Sequence, residues 1–186
     1  MFGVEIVSEA TLVITKTSKI FNWDGFGLSI RIRGSSLPDS VEKCTISIMA
    51  SLSGQYTFPK NSHLVSIIYW LRCEPRCKFQ RPIIVSIQHC AKSGNTSKLS
   101  FVRAFCTQKK LPYAFEQLEG NFTSYSSYGV IELDSFSGLG ITQEGSDARE
   151  YCASLYRKTT SSGDFCHIVV MDFVIMWNIE AHINVS

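Results

Sequence analysis

The chain has 186 residues, with 18 Lys and Arg against 16 Asp and Glu and a formal charge of +2. This length accommodates one sizeable core, and charges spread this evenly form no basic stripe able to neutralise a run of phosphates, so nucleic acid is not an expected partner. An apolar share of 45% and an aromatic share of 12% favour a packed β-protein over a disordered chain.

The opening MFGVEIVSEA has no basic cluster followed by an apolar run and a small-residue cleavage site, so no secretory signal is indicated and the cytoplasm is the expected location. The first clear element is the stretch 28–33, where Leu28, Ile30 and Ile32 alternate with Ser29, Arg31 and Arg33. Such alternation marks a strand with one wet side. Ile46 and Ile48 alternate in the same way with Thr45, Ser47 and Met49. LVSIIYWL (64–71) and PIIVSIQ (82–88) are more continuously apolar, as central strands are. LSFVRAFC (99–106) and YGVIEL (128–133) complete the set, and turn-type clusters such as GSSLPDS, LSGQYTFPKNS, CEPRC and AKSGNTS separate the strands, with a longer connection, TQKKLPYAFEQLEGNFTSYSS, before 128. SDAREYCASLY (146–156) is the one stretch that suggests a helical turn or a strand entry. The expected fold is all-β, an antiparallel β-sandwich.

The most apolar stretch, HIVVMDFVIMWNI (167–179), is interrupted by Asp172 and is shorter than the ~20 residues of a bilayer-spanning helix, so no transmembrane segment is expected. The last strands of the domain that begins near residue 144 are expected to be missing from the stretch ending at Ser186, and an unfinished sheet would expose an edge that invites another chain to pair with it. Cys44, Cys73, Cys77, Cys90, Cys106, Cys152 and Cys166 are odd in number and scattered through strand-like runs, as expected of reduced, buried thiols. The sequons at Asn95, Asn121 and Asn184 would matter only in a secreted protein.

Several stretches, in order, resemble the ZU-five (ZU5) domain, a β-sandwich module of zonula occludens protein, netrin-receptor tails, ankyrins and death-domain adaptors. WDGFGLSIRI (23–32) resembles the glycine-marked opening strand, and SLPDSVEKCTISIMAS (36–51) stands where that family has a polar turn and second strand. LVSIIYWLRCEPRCKFQRPIIVSIQHCAK (64–92) resembles its strand, Pro-bearing turn, aromatic before Arg/Lys-Pro, and strand ending in His-Cys-Ala. SFSGLGI (135–141) resembles its closing strand, and EYCASLYRKTTSSGDFCHIVV (150–170) looks like the start of a UPA domain. The resemblance implies a ZU5-like sandwich over 1–143 followed by a truncated UPA-like segment over 144–186. It further implies a protein–protein interaction module of a scaffold or signalling adaptor, with UPA or death-fold domains or cytoskeletal or receptor proteins as partners. Its expected location is cytoplasmic, including the inner face of the plasma membrane.

Some ZU-five relatives cut their own backbone at a Phe-Ser pair with the help of an upstream histidine. By that resemblance Phe136 precedes the cut, Ser137 is the nucleophile and His89 the assisting base; Ser135 stands where some cleaving relatives have histidine and others serine. The chemistry requires the imidazole to reach the serine oxygen. The competing reading makes Phe136 a core residue, Gly138 and Gly140 sites of close strand approach, and His89 a satisfied polar residue at a strand end.

Cys73, Cys77, His89 and Cys90 could be drawn as a zinc site, but they lack finger or ribbon spacing, and alternation turns His89 away from Cys90. No metal and no cofactor are expected. Phosphate-loop, dinucleotide and kinase motifs are absent from the sequence. Arg31, Arg33, Arg72, Arg76, Lys78 and Arg81 form the expected binding surface, since basic patches of some ZU-five domains face acidic partners; a merely solvated sheet face is the alternative.

Overall fold

The computed structural model describes residues 4–91, 99–104, 111–120 and 122–145. Apart from Glu144 and Gly145, the expected UPA-like segment 144–186 lies outside the described residues, as do the asparagines of all three sequons and the stretch 146–156.

In chain order the strands are β1 (Val4–Thr15), β2 (Lys19–Trp23), β3 (Leu28–Ile32), β4 (Lys43–Gly54) and β5 (Tyr56–Thr57). Next come β6 (Ser62–Leu64), β7 (Ile68–Glu74), β8 (Ile83–Gln88), β9 (Leu99–Ala104) and β10 (Tyr113–Ala114). The last are β11 (Glu116–Gln117), β12 (Phe122–Ser124), β13 (Tyr128–Leu133) and β14 (Gly138–Glu144). One sheet runs β1-β4-β7-β14-β9-β11 with β6 added beside β14, and the other runs β12-β13-β8-β3-β2. Neighbours in both are antiparallel, as in Ile46 opposite Cys73 and Ile30 opposite Val85. The all-β, antiparallel architecture expected from the alternation is the one that forms.

The period-two pattern places the core. Leu28, Ile30 and Ile32 from one sheet, and Ile46, Ile48, Tyr69 and Leu71 from the other, are buried in a single cluster between the layers. A fully buried aliphatic side chain contributes roughly 1.5–3 kcal/mol relative to exposure, so this inner face dominates stability.

The continuous apolarity of 64–71 has a separate cause. Ile68 and Trp70 point to the opposite face from Tyr69 and Leu71 and join a second cluster with Val102, Ala104, Tyr113 and Phe115. Covering that outer face are two pieces of chain that read as turns in the sequence. Tyr56 and Tyr113 pair in a short parallel ribbon, β5 with β10, and Phe115 packs on the Trp70 ring at 5.8 Å. A second difference is β1, which carries no sequence-based assignment yet forms the longest ladder with β4, Ala10 opposite Ile48 and Leu12 opposite Ile46.

Candidate functional site

The expected self-processing pair is separated by the ladders. Ser137 lies just before β14, where its carbonyl accepts the Leu71 N–H at 3.1 Å. His89 follows β8. The adjoining Cys90 N–H reaches the Val65 carbonyl, and the Val65 N–H reaches the Ile141 carbonyl, so the end of β8 sits level with Ile141. Four residues of extended chain, about 13 Å, separate that level from Ser137.

His89 is also fully engaged. Its Nδ1 accepts the Ala91 N–H at 3.2 Å, which leaves Nε2 to donate to the Tyr125 carbonyl at 3.2 Å. Burial pushes its pKa below the usual imidazole value, partly offset by the Tyr125 and Tyr128 backbone groups. Phe136 meets Phe79 edge-on, centroids 5.1 Å apart, and packs against the main core. The structure therefore does not bring His89, Phe136 and Ser137 into a reacting arrangement. The glycines have the role of close approach: a Cβ at Gly140 would meet Ile68 Cδ1 at 2.5 Å.

The six basic residues do not share a surface. Arg31 lies between inward-facing Ile30 and Ile32 on the outside of the five-stranded sheet, and nearby Arg33 pairs with Glu132 at 3.0 Å. Arg72 lies between inward-facing Leu71 and Cys73 on the outside of the other sheet. Arg76, Lys78 and Arg81 are exposed in the connection from β7 to β8. Of the six, the structure brings Arg76 and Lys78 together in one cleft of about 540 Å³, whose other lining residues are Cys77, Arg103, Asp134 and Ser135. Lys78 holds the Asp134 carboxylate at 2.8 Å, and that hydrogen bond lowers the Asp134 pKa. Arg103, in β9, stands opposite Glu116 in the ladder. It carried no signal in the sequence, because only strand order places β9 near the β7–β8 connection.

Cysteine placement differs from expectation in two ways. Cys90 is disulfide-bonded, which corrects the reading of all seven as reduced, while Cys44, Cys73 and Cys77 are free. The second difference is the company kept by Cys73 and Cys77. They are not grouped with His89 and Cys90 but with Cys44, the three sulfurs lying within 4.8 Å of one another. Cys44 comes from the start of β4, two residues before the Ile46 that faces Cys73 across the ladder. Burial raises all three thiol pKa values, those of Cys73 and Cys77 to about 11.

Among the described residues no helix is long and apolar enough to cross a membrane. No protein-family model matches this sequence, and no curated protein matches it either.

Proposed function

We propose that the chain is a ZU-five-type interaction module without conventional catalysis, serving a scaffold or signalling adaptor, and that it receives an acidic segment of a partner protein. The observation that carries this reading is the convergence of Arg76, Lys78 and Arg103 on one cleft containing a single carboxylate, Asp134. A rigid two-layer scaffold presenting such a cleft from a connecting segment suits recognition by charge complementarity. The expected partners are UPA or death-fold domains and cytoskeletal or receptor proteins. A cytoplasmic setting at the inner face of the plasma membrane rests on the resemblance.

The test is binding of a fluorescent Glu-rich peptide, followed by anisotropy at low and high salt. The parent chain is expected to bind with an affinity that falls as salt screens the contact. Arg76→Glu is expected to weaken binding by about tenfold, the scale of one reversed charge in a partly screened site. Equal binding by Arg76→Glu and the parent, or none by the folded parent, would sink the reading. Self-processing gains no support, because the groups it needs stand apart.

A further inference from the structure

We propose that Cys44, Cys73 and Cys77 form a three-thiolate site for one soft d10 cation such as Zn2+, joining the start of β4 to the turn that follows β7. This site borders the cleft assigned to the acidic partner, but it does not rest on that reading.

The geometry is close to what such an ion requires. Three sulfurs bound to zinc at about 2.3 Å with tetrahedral angles stand roughly 3.8 Å apart. Here the Cys73 and Cys77 sulfurs are 3.4 Å apart, and all three lie within 4.8 Å of one another. Shifts of about an ångström or less would close the set, and side-chain rotation provides them.

Local structure holds the sulfurs in place. Cys44 and Cys73 come from paired strands and face the interior, where both are buried. The Pro75 carbonyl lies 3.1 Å from the Cys73 sulfur and 3.8 Å from that of Cys44 as acceptor, so one backbone oxygen in the turn gathers the two thiols before an ion displaces their protons. Cys77 is less buried and lines the basic cleft. That position gives an ion a way in and gives its fourth coordination place to a solvent oxygen, the arrangement of three protein ligands with one open position.

Charge is also consistent. Uptake of one Zn2+ replaces the protons of three thiols, which leave to solvent, and the resulting three-thiolate complex carries one negative charge. Arg76 and Lys78 flank Cys77 in sequence and line the same cleft, so that charge forms beside cations. Soft thiolates without a carboxylate among them select zinc over magnesium or calcium.

The test uses the full chain, reduced, freed of metal with a chelator and titrated anaerobically with Co2+. Thiolate-to-cobalt charge-transfer absorption saturating at one equivalent is expected, followed by its loss as Zn2+ displaces the probe. Cys77→Ser, the least buried of the three positions, is expected to lower affinity by at least about tenfold, given that losing even a supporting group costs 10–100-fold. Circular dichroism and cooperative melting establish that the variant is folded, and Zn2+ should raise the melting temperature of the parent but not of Cys77→Ser. A folded, reduced parent that shows no charge transfer, or a titration unchanged by Cys77→Ser, overturns the proposal. A Cys73–Cys77 disulfide that persists under the reducing buffer and blocks uptake overturns it equally.

Discussion

The ring of Trp70 occupies the place where a side chain on Gly138 would be: a Cβ built there would fall 2.6 Å from the ring. The two residues face each other across the β7–β14 ladder. Trp70 is fully buried and has Tyr113 against its ring at 5.0 Å, so it has little room to withdraw. Gly138→Ala is therefore expected to destabilise the fold by about 1–3 kcal/mol, the range for overpacking a filled interior. Urea unfolding checks this. An unchanged midpoint would mean that the strand moves aside freely.

Ser137 is buried one residue earlier, and His89, after β8 of the facing sheet, stands at the level of Ile141 rather than of Ser137. Purified protein is expected to run as one species at the full 20.9 kDa, in the parent and in Ser137→Ala alike. Intact-mass spectrometry after prolonged incubation decides the matter. Fragments meeting between Phe136 and Ser137, lost in Ser137→Ala, would show that the chain reaches another arrangement in which the histidine or another base serves the serine.

Histidine burial has a pH consequence of definite sign. The folded pKa of His89 lies below its ordinary value of 6.5, so on acidification the unfolded chain takes up this proton before the folded one does. Stability associated with neutral His89 is present above pH 6.5 and is lost as pH falls toward the folded pKa. One proton sets the steepest slope, about 1.4 kcal/mol per pH unit. Denaturant unfolding of the parent and His89→Gln between neutral and mildly acidic pH should show the smaller dependence in the variant. Parallel curves would mean that His89 is charged at no cost in the folded state.

Local sequence was sufficient for the strands and their inward faces. Leu28, Ile30 and Ile32, or Ile46 and Ile48, disclose their buried side because a strand alternates with period two whatever its neighbours are. The double-sided burial of 68–71 was legible as unbroken apolarity, but its cover was not. Tyr56, Tyr113 and Phe115 sit among Gly, Pro and polar residues and become a second core only because β5 and β10 meet over Trp70.

Side-chain gatherings were decided by tertiary structure, since sheet order and register join residues far apart in the chain. Sequence proximity grouped Cys73 and Cys77 with His89 and Cys90; strand pairing instead supplied Cys44, 29 residues before Cys73. The same pairing divided the six basic residues between two sheet exteriors and the β7–β8 connection, and brought in Arg103. It also set His89 and Ser137 at different levels of the sandwich. Alternation shows which side of a strand is dry, but a site also needs to know which strand lies opposite, and that follows from how the layers pack.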